Sequence, residues 1–129
     1  MSSTSEPVGT VDVALAHTTR LLESNPALAA EQAAEILKAV PDHPAATLLL
    51  GVASRRAGEV QRALEVIEPL CRLHPKWALA HYELGVALGS AKQGDGAVAA
   101  LRRAVELKPD MPDAWRALGD HLTAIGDSA

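Results

Sequence analysis

The sequence predicts an all-α solenoid of about seven helices, arranged as antiparallel pairs stacked in tandem. Three observations carry this. The 129 residues are 48% hydrophobic yet only 2% aromatic, with no phenylalanine, and the apolar share is mostly Ala and Leu, which lose least on becoming helical. The β-branched and aromatic residues that favour strands are few. Above all, the dipeptide Leu-Gly recurs at Leu50-Gly51, Leu84-Gly85 and Leu118-Gly119, at a constant spacing of 34 residues.

The same period links Pro41, Pro75 and Pro109, Ala63 with Ala97, and Ile67 with Leu101. A fixed period of this length marks an array in which each unit buries its apolar face on the next. Residues 1–9 are small and polar and are expected to be disordered. Residues 10–43 form a looser first unit, with helices Val11–Glu23 and Ala27–Ala39 on either side of Asn25-Pro26. The second unit, 44–77, has a first helix Ala45–Ala57, a break at Gly58, and a second helix Val60–Leu73 that stops before Pro75, which cannot continue it. Pro69 removes the bond to the Glu65 carbonyl and is expected to bend that helix. The third unit, 78–111, repeats the plan as Ala78–Ala91, a break around Gly94-Asp95-Gly96, and Ala97–Leu107 before Pro109. Residues 112–129 supply the first helix of a fourth unit, Asp113–Ile125, ending at Gly126. Short turns make neighbouring helices antiparallel.

The period and the run Trp115-x-x-Leu118-Gly119-x-x-Leu122 resemble the tetratricopeptide repeat. That family carries W-x2-L-G-x2-Y in its first helix and A-x3-F in its second, then a closing proline. Leu84-Gly85, Leu88, Ala97, Leu101, Ala104 and Pro109 fill the slots in the third unit, and Leu50-Gly51, Gly58, Ala63, Ile67 and Pro75 fill them in the second. The resemblance covers about Thr10 to Gly126 and implies a right-handed superhelix. Its glycine removes a side chain where the two helices of a unit cross, and its alanine does so from the other side. There are departures. Ala16-His17 replaces Leu-Gly in the first unit, so its helices should pack less closely or use Ala16 as the small contact. Leu88, Leu122, Ile67 and Leu101 stand in the aromatic slots and thin the core, and His81 takes the tryptophan slot of the third unit, where it is expected to be packed.

Composition narrows the function classes. A formal net charge of −4 argues against a nucleic-acid binder, which needs a basic surface. The lone Cys71 excludes a disulfide framework and a multi-cysteine zinc site. No apolar run approaches the roughly 20 residues that span a bilayer, and the start lacks the basic and apolar regions of a secretory signal. No membrane partner and a cytoplasmic location are expected. His17, His43, His74, His81 and His121 form no i, i+4 pair on one helix, and no phosphate-loop or nucleophile-elbow motif occurs. Cys71 sits in mid-helix, remote from the electropositive setting a reactive thiolate needs. The chain is therefore expected to be no enzyme by itself, with no catalytic residue, metal or cofactor.

What remains is recognition of a protein or peptide. The resemblance implies that ligands lie on the concave face of the first helices. The candidate lining is Leu48, Val52, Arg55 and Arg56 in the second unit, Leu79, Tyr82, Glu83 and Val86 in the third, and Arg116 and Asp120 in the fourth. Chaperone-binding members hold a C-terminal carboxylate there with a Lys, Asn and Arg clamp. Ala14, Thr18, Leu49, Leu79 and Glu83 stand at those positions here, so a carboxylate-tail ligand is not expected. The expected function is a scaffold that buries a partner's apolar helix or peptide, with Arg55, Arg56 and Arg116 steering acidic flanks. Glu in place of Leu48, Val52 and Val86 is expected to abolish capture without unfolding the array. The alternative is an N-terminal accessory or oligomerisation domain of a larger enzyme, such as a sulfotransferase or glycosyltransferase. Trp115, Leu118, Leu122 and Ile125 are expected to cover helix Ala97–Leu107 and leave their other side bare, so a homodimer through the groove or the last helix is a further expectation.

Overall fold

The computed structural model describes residues 6–128. Among them are seven helices and no strand: α1 (Glu6–Ser24), α2 (Pro26–Ala39), α3 (Pro44–Arg56), α4 (Val60–Leu73), α5 (Ala78–Ser90), α6 (Gly94–Leu107) and α7 (Pro112–Ser128). Glu6 to Gly9 thus begins α1, inside the stretch expected to be disordered; residues 1–5 lie outside the described part. The chain divides into two compact units, one ending at Val66 and the other starting at Ile67.

In the first unit α1 packs on α2, α2 on α3, and α1 also reaches α3. Its core joins Ala29, Ala30 and Ala33 of α2 to Leu50 and Ala53 of α3, with Leu21, Leu22, Leu37, Leu49 and Val66 packed around them. Alanine at the crossing lets the backbones approach, and the leucines fill the flanks. Both inner helices start on the same device. Asn25 Oδ1 accepts from the Leu28 N–H at 3.2 Å with Pro26 opening α2, and His43 Nδ1 accepts from the Ala46 N–H at 3.3 Å with Pro44 opening α3. Each side chain satisfies a donor that the first turn leaves orphaned, and the proline has no N–H to satisfy.

α1 departs from the repeat slots. Ala16 and His17 are exposed, and the fully buried residue is Thr18, whose hydroxyl donates to the Ala14 carbonyl at 2.7 Å. Ala16 is therefore not the small contact. Ala14, Leu15, Thr18, Leu21 and Leu22 follow helical spacing, and this stripe turns inward instead.

In the second unit α5 packs on α6, α6 on α7, and α5 also reaches α7. Leu101, Ala104 and Val105 of α6 bury against Ala114 and Leu118 of α7, with Tyr82, Val98, Met111 and Ala117 alongside. In each unit, then, three consecutive helices pack in sequence order and its two first helices, α1 and α3 or α5 and α7, also meet, as stacking of helix pairs requires. α4 remains helical through Pro69.

The turn after α3 and the turn after α5 share one backbone. Glu59 N–H donates to the Ser54 carbonyl (2.8 Å) and Gly58 N–H to the Arg55 carbonyl (3.0 Å). In the later turn, Gln93 N–H donates to Leu88 (2.9 Å) and Lys92 N–H to Gly89 (3.0 Å). These paired bonds close a helix C-terminus on a left-handed residue: Gly58 at φ +92° and Lys92 at φ +62°. The expected break at Gly94-Asp95-Gly96 is thus corrected, since those residues form the first turn of α6. The period explains it, because Lys92 is the counterpart of Gly58 and Gly94 that of Val60, which opens α4. Likewise α7 continues through Gly126 to Ser128; one helical glycine costs about 1 kcal/mol, too little to end a packed helix.

Candidate interaction surfaces

α5 has a single charged residue, Glu83, and apolar residues on all sides. A helix of that kind is normally buried all round. Leu79 is nevertheless 43% exposed, and Tyr82 and Val86, at i+3 and i+7 from it, are half-buried, as is Glu83. These four expected groove residues therefore lie on accessible or partly accessible parts of α5. Arg116 and Asp120 are exposed on α7, which packs beside α5 in the same unit. The Arg116 guanidinium lies 3.6 Å from the Asp113 carboxylate, a solvent-bathed pair that contributes at most about 1 kcal/mol.

The first unit differs. Arg56 is exposed and Arg55 half-buried, but Leu48 and Val52 are only 7% and 5% exposed. They are interior side chains, not open groove wall, and this corrects the expectation that Glu there would spare the fold. A carboxylate at either position would be buried without a partner at a cost of several kcal/mol.

Three features went unseen in the sequence. His81 fills the tryptophan slot by imitating tryptophan: its Nε2 lies 2.9 Å from the Pro75 carbonyl, and Trp115 Nε1, in the same slot of the next repeat, donates to the Pro109 carbonyl at 2.7 Å. A ring N–H tied to the preceding closing proline is thus common to both, and the shared offset of six residues to the proline was the available signal. Second, Gly89 is a crossing point. A Cβ there would fall 2.6 Å from the His121 ring, so the imidazole lies directly on the glycine and joins α5 to α7. Third, among the described residues of α7, Ala114 and Leu118 are buried in the core and Ala117 packs against it. Trp115, Leu122 and Ile125 are 50%, 40% and 39% exposed, which corrects the expectation that all of them cover α6.

Cys71 is buried. Burial, with help from Glu68 and against Arg72, pushes its thiol up to about 11, so it is protonated and inert at neutral pH. Among the described residues no three of His, Cys, Asp and Glu gather into a metal-holding group, and no helix is long and apolar enough to cross a membrane.

The tetratricopeptide repeat model matches residues 18–77, 55–112 and 82–129 in overlapping copies. The chain belongs to the tetratricopeptide repeat family. No curated protein sequence matches it. Among solved structures it is similar to an O-GlcNAc transferase of Thermobaculum terrenum, at 28% identity and a TM-score of 0.83, covering 90% of this chain but 22% of the transferase. It is also similar to the Sgt2 tetratricopeptide domain of Aspergillus fumigatus (19%, TM-score 0.85, 92% and 81% covered). The first tetratricopeptide domain of Spaghetti, bound to an HSP90 peptide, superposes over 90% of this chain and 93% of its own length (17%, TM-score 0.81). These two likenesses establish the fold: an α-solenoid of tetratricopeptide helix pairs.

Proposed function

We propose that this tetratricopeptide chain is a protein-interaction scaffold that takes a partner's apolar helix or extended peptide on the accessible face of α5. One observation carries the reading: Leu79 stands 43% exposed on a helix without a polar face. Water gains nothing from that surface, and a partner that covers Leu79, Tyr82 and Val86 recovers roughly 25 cal/mol per Å² of apolar area. Arg116 adds positive charge suited to acidic flanks, and Asp120 and Glu83 restrict what fits. The peptide held by the Spaghetti domain makes a peptide ligand a natural class. The absence of the carboxylate clamp argues for contact along the ligand's length instead of at its terminus.

The test is a displayed library of helical and extended peptides selected on the wild-type chain. Leu79→Glu, an exposed change, should weaken the selected peptides at least tenfold with the melting temperature unmoved, and Arg116→Glu should weaken those with acidic flanks. Peptides that bind Leu79→Glu as well as wild type would refute the reading.

A second reading rests on the transferase likeness, where this chain matches only 22% of the longer protein. In it the repeats serve a larger enzyme as an accessory domain. A transferase domain in the same reading frame, with activity lost on Leu79→Glu, would favour it.

A further inference from the structure

Asp113, Arg116 and Asp120 of α7 hold the repeat slots that Leu79, Tyr82 and Val86 hold in α5, each 34 residues on. Both sets follow at i, i+3 and i+7, so each forms one row along its own helix. The two helices belong to one compact unit and pack on each other. Tyr82 and Ala117 both pack against the core cluster shared by α6 and α7, so the Tyr82 side of α5 borders the α7 residue next to Arg116. The apolar row therefore has a charged row alongside it, and its charges alternate: negative, positive, negative. All three charged residues are exposed. The Arg116 guanidinium lies 3.6 Å from the Asp113 carboxylate, and the row sets two carboxylates against one guanidinium.

We propose that the ligand of the α5 face is an amphipathic helix of a partner protein whose apolar stripe is flanked by a basic, an acidic and a basic residue. This rests on the α5 reading above and adds to it the shape and the charge order of the ligand. Charge complementarity selects the flank: a basic residue opposite Asp113, an acidic one opposite Arg116, a basic one opposite Asp120. The length of the rows selects the helix. Seven helical residues rise about 10 Å, and a helix laid alongside keeps step with each position at i, i+3 and i+7. An extended chain covers that distance in about three residues with alternate side chains turned away, so it reaches at most two of the three charges. A second copy of this chain does not carry the flank. Basic, acidic, basic at spacings of three and four, in either order, occurs only at Arg55, Glu59 and Arg62. Arg55 lies in α3 and Arg62 in α4, with the Gly58 turn between them, so they make no row on one helix.

The test measures two fluorescent, helix-stapled peptides on the full chain by anisotropy, both with leucine at i, i+3 and i+7. One is flanked by Lys, Glu and Lys, the other by Glu, Lys and Glu. The first should bind about tenfold tighter at low salt, a preference that shrinks in about 0.5 M salt because the charges are exposed. Combining Asp113→Lys, Arg116→Glu and Asp120→Lys should reverse the preference, which partial unfolding could not do. Leu79→Glu should weaken both peptides alike. Equal affinity of the two for the wild type, lost on Leu79→Glu, would overturn the charged flank and leave the α5 face standing. If neither helix binds, the inference falls, and the α5 face then rests on its extended peptides alone. A wild-type chain that sediments as a dimer dissolved by the combined variant would place a second copy over the row. Binding that disappears on the product of the whole reading frame would place a segment of the chain itself there, and either result overturns the proposal.

Discussion

α5 and α7 both carry Leu-Gly followed by a leucine three positions on, 34 residues apart, yet Leu88 is 7% exposed and Leu122 40%. The glycines differ in the same way, one pressed by Leu101 and one facing open space. The slots are alike in sequence, and what separates them is whether a second helix stands in front. A repeat slot therefore has no energy of its own: its worth is the contact its neighbour makes with it. The difference between the two helices can be measured by changing the same slot twice.

The largest effect is expected from the leucines. Leu88→Ala removes buried methyl groups from the α5–α6 contact and should cost about 2–5 kcal/mol. Leu122→Ala removes side-chain atoms that are partly in water already and should cost no more than about 1 kcal/mol. Urea denaturation followed by circular dichroism gives both numbers on one protein. Equal losses would mean that something covers α7 in solution.

The glycines sharpen the contrast by changing its sign. Gly85→Ala places a methyl against the branch carbon of a Leu101 that has no room to withdraw, at an expected cost of about 1–3 kcal/mol. Gly119→Ala meets no atom and exchanges a poor helix former for the best one, a gain of roughly 0.5–1 kcal/mol. Thermal melts of the two variants should move in opposite directions from the wild type. A Gly119→Ala variant that melts lower would show that the space beside the glycine is occupied.

The period explains how much could be read beforehand. Leu-Gly, the closing prolines and the small residues are fixed by helix crossings within a unit, so they repeat and can be recognised. What fails to repeat is set by neighbours outside the unit. Leu48 and Val52 occupy positions assigned to an open face, and only the packed chain shows them buried. Trp115 carries the family's strongest sequence signal and is half exposed. α1 was misaligned for a related reason: Ala16-His17 stands in the slots, but the apolar stripe through Thr18 and Leu22 decides which side turns inward. Ser54, in a tyrosine slot, is fully buried and its hydroxyl has no hydrogen-bond partner, which no pattern of residue types announces.

The turns give the smallest and cleanest version of the same comparison, since there the backbone is common and only the residue changes. A side chain held at positive φ carries a left-handed penalty of roughly 1–2 kcal/mol that glycine escapes. Lys92 sits there at +62° and Gly58 at +92°, each closing its helix with the same two hydrogen bonds. Lys92→Gly should therefore stabilise by roughly 1 kcal/mol, reduced by the extra freedom glycine has when unfolded. Gly58→Ala meets no clash and should cost about the same amount, so the pair isolates backbone strain from packing. Melting the two variants side by side reads both signs. If Lys92→Gly leaves stability unchanged while Gly58→Ala lowers it, the lysine turn has offset its strain elsewhere, and the two turns share hydrogen bonds without sharing energetics.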